Sequence, residues 1–310
     1  MKSYLSFDIG GTNVKWGLLN DKGEILKNDF FSSGHSDGET ILRGMRAKIN
    51  DHLSEIKGIA ISAPGFIHPS GFIEKGGAIV AFDQFHLKEA LEKEFSIPVS
   101  IENDVNCVAL AEKWLGNGRD HTEFICLTVG TGIGGALFIN NDLYRGHAFR
   151  GGEFGYMITR GLNSTLSLGD TLSAQASMTF VREKYAALHS IPLKEVTGER
   201  VFQGYDSKEP VAVQIVESFY QTLAIGIYNI TSVLNPEKVL IGGGITSRPT
   251  FMKELRSHLT YVDRVFNVEI DRCYFKNDAG LVGALAFHLS KYPSVRNYVL
   301  ETETEPNTRS

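Results

Sequence analysis

Two glycine-rich segments of the same design open the two halves of this sequence. "SFDIGGTNVKWGLLN" and "CLTVGTGIGGALFIN" align without a gap when Thr128 is placed on Asp8. In each, an apolar run ends in a glycine turn and a second apolar run follows, which is the pattern of a β-hairpin. Any two apolar hairpins look alike, so coincidence is the alternative. A true repeat predicts a duplicated α/β unit with both glycine turns at a central cleft.

The segments after the first hairpin predict an α/β domain. "GEILKNDFF" predicts a third strand, and Ile41, Met45, Ile49 and Leu53 form a helical stripe with a spacing of four residues. "HLKEALEKEF" predicts a second amphipathic helix. "GIAISAPGFI" and "PVSIENDVNCVALAEKWLG" each begin with a strand, and the latter continues into a helix that starts near Asp104. Strands that alternate with helices in this way indicate an α/β fold.

The later segments predict a second α/β domain. "NPEKVLIGGGIT" supplies a strand that ends in glycines, and "RPTFMKELRSHL" follows as a helix. We therefore predict a smaller domain over residues 1–116, completed by a C-terminal helix near 284–300, and a larger domain over 117–283. The polar tail 301–310 has no apolar face and is predicted to be disordered.

Composition narrows the class of protein. The chain of 310 residues is 42% hydrophobic and 22% charged, with a net charge of −5. These values fit a globular protein and offer no basic field for nucleic acid or anionic lipid. There is no secretory signal and no apolar run that would span a bilayer. The scattered residues Cys107, Cys126 and Cys273 argue against a disulfide framework and suit a reducing cytosol, so we expect a cytoplasmic protein.

The segment "GTGIGG" matches the dinucleotide-binding pattern G-x-G-x-x-G only in form. That pattern requires a helix directly after the glycines, whereas "ALFIN" predicts a strand. This disfavours a dehydrogenase, and a Walker A loop is excluded because the chain has no Gly-Lys pair. The remaining interpretation is a hairpin whose backbone N–H groups form a nest for phosphate oxygens.

The first glycine turn carries further polar groups. Thr12 and Thr131 stand in the two turns, which together would hold a polyphosphate from both sides. Asp8 ends its strand, where a carboxylate can hold Mg²⁺ directly or through water, or can close the hairpin as an Asx turn. Lys15 could neutralise phosphate charge, although a lone lysine on a strand is more often a solvated residue.

Two further motifs contain candidate catalytic and sugar-binding residues. In "IENDVN", Asn103 and Asp104 stand where a strand leads into a helix, a position that faces the crevice in open α/β sheets. An aspartate there can take the proton of a substrate hydroxyl during phosphoryl transfer; the alternative role is helix capping. In "RGGEFGYM", Glu153 stands between glycines and can accept hydrogen bonds from sugar hydroxyls, or is only a loop charge.

Taken together, "DIGGT", "SAPG", "END", "VGTGIGG", "GGEFG" and "LNPEKVLIGGGI" closely resemble the motifs of the ROK family of sugar kinases over roughly residues 4–290. The resemblance implies an actin-like, ribonuclease H-like fold of two domains that close on ATP, Mg²⁺ and a hexose. It also implies that Asp104 is the general base and that Asn103 and Glu153 bind the sugar, with Pro64 and Gly65 lining the sugar pocket. The implied phosphate-binding and adenosine-binding residues are Asp8, Gly10, Gly11, Thr12, Gly130, Thr131, Gly132, Gly134, Gly242, Gly243 and Gly244.

The sequence departs from the family pattern on one side of the sugar pocket. The family usually has a histidine where this chain has Tyr156, followed by a cysteine-rich zinc-binding segment. Here that segment, "ITRGLNSTLSLGDTLSAQAS", has no cysteine, so we predict that the protein binds no zinc. The glutamate that closes the segment in the family is replaced by Ser173. Tyr156 could stack on a second sugar attached at the anomeric oxygen.

These observations predict an ATP-dependent kinase for the 6-hydroxyl of a hexose or hexoside. A β-glucoside kinase is one reading, and an N-acetylmannosamine kinase, a glucokinase or a fructokinase is the alternative. The family also includes sugar-responsive repressors, but these carry an N-terminal helix-turn-helix domain, for which the turn at Asp8 leaves no room. We expect no nucleic-acid or membrane partner, and the resemblance implies a homodimer.

Overall fold

The computed structural model describes residues 2–161, 168–266 and 268–292. By their internal contacts these residues form two units, one of the residues up to Cys107 and from Leu281 onward, the other of Val108–Gly280. The sequence suggested boundaries at 116 and 283. Each structural boundary falls inside a continuous helix, so no turn marks it in the sequence. The predicted tail 301–310, and the predicted helix beyond residue 292, lie outside the described residues.

The first unit is built mainly of strands, with helices between them. Its elements, ending with the helix that runs into the second unit, are β1 (Ser3–Ile9), β2 (Asn13–Asn20), β3 (Ile25–Ser32), α1 (Gly38–His52), β4 (Ile56–Ala63), β5 (Phe66–Ile67), β6 (Ile73–Lys75), α2 (Leu87–Phe95), β7 (Val99–Asn103) and α3 (Asp104–Leu115). The main sheet has the order β3-β2-β1-β4-β7. β2 pairs antiparallel with β1 and β3, whereas β4 is parallel to β1 and to β7.

The second unit repeats this plan and adds helices. Its elements, ending with the helix that runs into the first unit, are β8 (Phe124–Val129), β9 (Ile133–Ile139), β10 (Asp142–Leu143), α4 (Leu172–Ala176), α5 (Met178–His189), α6 (Gly198–Asp206), α7 (Pro210–Leu234), β11 (Lys238–Gly242), α8 (Phe251–His258), α9 (Thr260–Val265), β12 (Glu269–Arg272) and α10 (Ala279–Lys291). The sheet order β10-β9-β8-β11-β12 and its strand directions match those of the first sheet. The predicted duplicated α/β fold is confirmed.

Apolar side chains on both faces of the first sheet explain why its strands form. Leu5 and Phe7 of β1 are fully buried, and so is Tyr4 on the opposite face. Helix α1 buries Ile41, Met45 and Ile49 completely. Leu53, the fourth member of the predicted stripe, is 36% exposed because the helix ends one residue earlier.

A long buried helix organises the core of the second unit. α7 begins with Pro210, whose fixed φ suits the first helical turn, and is capped after Leu234 by Asn235 in the left-handed conformation. Phe219, Leu223 and Ile227 on this helix are fully buried in the apolar cluster that also covers the sheet. None of the described helices, α7 included, combines the length and apolar character of a transmembrane segment.

Candidate active site

The first glycine turn, residues 10–12, joins β1 to β2 next to the partly buried carboxylate of Asp8. Asp8 stands opposite Lys15 in the antiparallel register, and its Oδ1 accepts a hydrogen bond of 2.6 Å from the Ser62 hydroxyl on β4. Burial raises the pKa of Asp8, while the Ser62 hydrogen bond and the Lys15 charge lower it. Within the described residues Asp8 accepts no hydrogen bond from the turn, so the structure does not show the alternative Asx turn.

The backbone of this turn presents donors rather than acceptors to its surroundings. The Gly11 carbonyl accepts hydrogen bonds from Ser33 Oγ at 2.7 Å and Ser36 Oγ at 3.2 Å, and the Thr12 carbonyl accepts one from the Ser33 N–H at 2.9 Å. The N–H groups of Gly11 and Thr12 have no acceptor in the described part of the chain. This arrangement leaves the donors available to an anion.

The junction of β7 and α3 brings Asn103 next to the Pro64–Gly65 turn. Asn103 Oδ1 accepts the N–H groups of Val105 at 2.9 Å and Asn106 at 3.0 Å, and thereby caps α3. Its Nδ2 donates to the Gly65 carbonyl at 3.0 Å, which fixes the Pro64–Gly65 turn beside it. The capping alternative is therefore correct for Asn103, and its second amide N–H is left for a sugar oxygen. Asp104 follows as the first residue of α3.

A glutamate that the sequence analysis did not single out supports this junction. Glu102 is 3% exposed and accepts hydrogen bonds from the Asn103 N–H at 2.9 Å and from Asn106 Nδ2 at 3.0 Å. Burial and the charges of Glu102, Asp8 and Asp104 raise the pKa of the Cys107 thiol. All three carboxylates thus lie close enough to raise the pKa of the same buried thiol. The "END" motif contained this signal, since two polar residues end a buried strand and a third begins the helix after it.

The second glycine turn, residues 130–132, is held by different groups. The Gly130 carbonyl accepts the N–H of Met178, the first residue of α5, at 2.9 Å. Ser173 Oγ accepts the N–H of Ile133 at 3.0 Å. Ser173 was expected only as the replacement for a sugar-binding glutamate, but it anchors the turn. Gly134 lies in β9 opposite Thr128 rather than in the turn itself.

A cavity of about 640 Å³ opens on one side of this turn. Gly130, Thr131, Phe202, Gly244 and Arg248 are among its lining residues. Of the predicted adenosine-binding glycines, Gly244 therefore borders the same space as the second turn. Gly242 ends β11, and Gly243 has φ +96°, with an added Cβ only 2.1 Å from the Val129 carbonyl oxygen. Glycine is required there by the backbone, whereas Gly244 faces open space.

A second cavity of about 470 Å³ contains the predicted sugar-binding residues of this unit. Thr131, Glu153, Tyr156 and Ser173 are among its lining residues. Burial raises the pKa of Glu153, and the Arg150 charge partly opposes this effect. The Tyr156 side chain is 60% exposed. Glu153 is thus a cavity residue and not merely a loop charge.

The glycines around Glu153 have a packing role. Gly152 has φ +89°, and an added Cβ would lie 2.5 Å from the Gly135 carbonyl oxygen on β9. The motif "GGEFG" therefore holds its loop against the strand that follows the second glycine turn. Close backbone contact explains the glycine at position 152.

The structure leaves the prediction of zinc absence untested, because residues 162–167 of the replaced segment lie outside the described residues. Cys107, Cys126 and Cys273 are buried free thiols. Among described residues, no three histidine, cysteine or carboxylate side chains form a group that could hold a metal. Elemental analysis of the purified protein would test the prediction.

Comparison with known proteins identifies the family of this chain. The family model described as "ROK family" matches residues 4–291. The chain belongs to the ROK family. A β-glucoside kinase from Listeria innocua is 44% identical over 287 residues, covering 92% of this chain and 97% of the relative.

Two solved structures share the fold. The Lmo2764 protein from Listeria monocytogenes, for which N-acetylmannosamine kinase activity has been suggested, has 43% identity and a TM-score of 0.88, with 93% of this chain and 99% of that chain covered. A ROK family protein from Streptococcus pneumoniae in complex with sucrose has 28% identity and a TM-score of 0.83, with 94% and 99% covered. The actin-like, ribonuclease H-like fold predicted from the sequence is thereby confirmed.

Proposed function

We propose that this ROK family member is an ATP-dependent β-glucoside kinase that phosphorylates the 6-hydroxyl of its sugar. The relative from Listeria innocua, named a β-glucoside kinase and matched over nearly its full length, supports the reaction and the substrate class. We further propose a cytoplasmic location and a homodimeric assembly, for which the sequence composition and the family resemblance are the support.

The position of Thr131 carries the proposal most directly. It lines both the larger cavity, with Gly244, and the smaller cavity, with Glu153. A nucleotide in the larger cavity and a sugar in the smaller one would therefore meet at the second glycine turn. Phosphoryl transfer depends mainly on such positioning of donor and acceptor.

The proposal gives roles to three side chains and to the two glycine turns. Asp104 takes the proton of the attacking hydroxyl, while Asn103 and Glu153 bind the other sugar hydroxyls. Asn103 has one amide N–H left to donate, because its oxygen caps α3 and its other N–H reaches Gly65. Glu153 supplies carboxylate oxygens at the cavity wall. The turns at residues 10–12 and 130–132 bind phosphate oxygens through backbone N–H groups.

Asp8 has the chemistry that Mg²⁺ requires. Its carboxylate is partly buried, one oxygen accepts the Ser62 hydroxyl, and burial raises its pKa. A divalent cation would compensate the buried charge, and hard carboxylate oxygens are what Mg²⁺ prefers. Bound there, directly or through water, the ion would neutralise the negative charge of the transferring phosphoryl group.

The smaller cavity also supports a disaccharide substrate. Tyr156 is 60% exposed at the wall that contains Glu153, so its ring can cover a group attached at the anomeric oxygen. The relative from Streptococcus pneumoniae was crystallised with sucrose, a disaccharide. An N-acetylmannosamine kinase is the second candidate, favoured by the likeness to Lmo2764.

A coupled assay of ADP release tests the proposal. The candidate acceptors are glucose, fructose, N-acetylmannosamine, cellobiose and gentiobiose, each with ATP and Mg²⁺. We expect ADP release above the sugar-free rate with cellobiose or gentiobiose. ADP release with none of the five sugars would overturn the proposed kinase activity, and release with N-acetylmannosamine alone would favour the second candidate.

A further inference from the structure

Arg248 is a lining residue of the larger cavity that the sequence analysis did not single out. It directly follows the 3₁₀ segment Gly244–Ser247 and precedes α8. Its side chain is 15% exposed, although it is fully charged at neutral pH. Burying most of a cationic side chain at a cavity wall costs free energy unless nearby carboxylates compensate its charge.

Two carboxylates hold the guanidinium by its edges. Asp206 accepts from Nη1 at 2.9 Å and from Nη2 at 2.5 Å, and Glu254 accepts from Nε at 3.0 Å and from Nη2 at 2.7 Å. The Tyr220 hydroxyl donates to Glu254 at 2.6 Å and fixes that carboxylate. Paired contacts of this kind lie in the plane of the guanidinium. The orientation of the plane is therefore fixed, and the carboxylates contact its edges rather than its flat faces.

An aromatic ring packs against the guanidinium. The Arg248 Cζ lies 4.9 Å from the centroid of the Phe202 ring, within the range of a cation–π contact. Phe202 is 4% exposed and belongs to the core of the second unit. Because Phe202 and Arg248 both line the larger cavity, a rigid flat surface is offered to a ligand there.

We propose that Arg248, supported by Phe202, is the platform on which the purine base of the nucleotide stacks. The inference rests on the proposed function, which assigns the larger cavity to ATP. A single cavity reaches from Gly130 and Thr131, where phosphates would bind, to Arg248. Guanidinium planes stack well on aromatic rings, and stacking on a nucleobase is largely independent of its hydrogen-bonding edge.

Calorimetric titration with two ligands tests the platform. MgATP and magnesium tripolyphosphate, which lacks a base, are titrated into the wild-type protein and the Arg248→Lys variant. Lysine keeps the charge but removes the flat face. We expect the Kd of ATP to rise about tenfold, or about 1.4 kcal/mol, while the Kd of tripolyphosphate changes less than about twofold.

Controls separate the possible failures. Arg256→Lys changes an exposed arginine of the same unit that donates to the Ile270 carbonyl, and ATP affinity should be unchanged. Equal weakening of both ligands in Arg248→Lys, or a wild-type protein that binds ATP no tighter than tripolyphosphate, would overturn the platform while the kinase proposal stands. Binding of neither ligand by the wild-type protein would overturn both.

A second variant keeps the test decisive if Arg248→Lys does not fold. Phe202→Leu removes the ring behind the guanidinium and keeps an apolar side chain in the core. We expect ATP to bind about threefold more weakly, with tripolyphosphate unchanged within about twofold. An unchanged affinity for ATP in a folded Phe202→Leu variant would contradict the proposal.

Discussion

The two glycine turns of this chain follow the same backbone plan but differ in what surrounds them. Each joins the first two antiparallel strands of a five-stranded sheet. The turn at residues 10–12 is tied by Ser33 and Ser36 and adjoins the carboxylate of Asp8. The turn at 130–132 is tied by Ser173 and by the start of α5, and Thr128 stands where the first unit has Asp8.

The two units also differ in the carboxylates and cavities that they contain. The first unit brings three carboxylates, Asp8, Glu102 and Asp104, near one buried thiol. The second unit places both described cavities against its turn, where Thr131 is shared. Repetition of a fold therefore preserves the path of the backbone, while side chains at equivalent positions take different roles.

The largest effect is expected when the proposed general base in the first unit is replaced. Asp104→Asn should lower turnover about 10²- to 10⁴-fold, the usual contribution of a general base, because an amide cannot take the hydroxyl proton. The affinities for ATP and sugar should change little. The control is Asp51→Asn, the same substitution at an exposed position of α1. A fall in turnover of less than about threefold would show that Asp104 is not the base.

A matched pair of glycine substitutions compares the turns directly. In the second turn, an added Cβ at Gly130 meets no atom within 4 Å, so Gly130→Ala should fold normally. Its methyl group would occupy space needed by phosphate oxygens, and the KM for ATP should rise about tenfold, or about 1.4 kcal/mol.

The first turn should respond differently. At Gly10 an added Cβ would lie 3.0 Å from the Asn13 carbonyl oxygen. Gly10→Ala should therefore lower the melting temperature in addition to raising the KM for ATP. Steady-state kinetics and thermal unfolding of both variants give the answer. An unchanged KM for ATP in Gly130→Ala would remove the second turn from the phosphate site.

A smaller effect is expected at the wall of the smaller cavity. Tyr156→Ala should lower kcat/KM for cellobiose about fivefold, close to 1 kcal/mol, and should leave the value for glucose within about twofold. Tyr274→Ala is the matched control, because Tyr274 is 62% exposed and Tyr156 is 60% exposed. Equal losses for both sugars would mean that Tyr156 does not contact the second sugar.

The smallest effect concerns stability and pH, and it applies to both units. Burial raises the pKa of Asp8 and of Glu153, so the folded state holds these protons more tightly than the unfolded state. Stability therefore falls as the pH rises from the unfolded pKa, about 4, through the higher folded pKa.

Asp8→Asn and Glu153→Gln should accordingly melt at higher temperatures than the wild type at pH 7.5, and at nearly the same temperature below about pH 4. Thermal unfolding without ligands at both pH values measures this difference. Amide variants that are less stable at pH 7.5 would show that favourable partners, rather than burial, dominate the energetics of these carboxylates.

Local patterns were sufficient to predict some parts of the molecule and not others. The two hairpins and the cap at Asn103 follow from neighbouring residues, since alternation and turn chemistry are local properties. The role of Ser173 could not be predicted, because its partner Ile133 is forty residues away in the sequence. The platform at Arg248 likewise depends on Asp206 and Phe202, which only the packing of α6 brings near.

The boundaries of the two units also could not be predicted from the sequence. Both fall inside continuous helices, so the residues on either side have the same local pattern. The two-residue and three-residue strands β5 and β6 are too short to show alternation. Such features depend on contacts made after the local elements have formed.

Whether the chain phosphorylates β-glucosides is best tested by comparing kcat/KM values for different sugar acceptors. Cellobiose, glucose and N-acetylmannosamine are assayed as acceptors with saturating MgATP, and the cellobiose product is examined for the position of its phosphate. Cellobiose should be the best of the three acceptors and should carry phosphate on the 6-hydroxyl of its non-reducing sugar. A preference of tenfold or more for either monosaccharide, about 1.4 kcal/mol in transition-state binding, would contradict it.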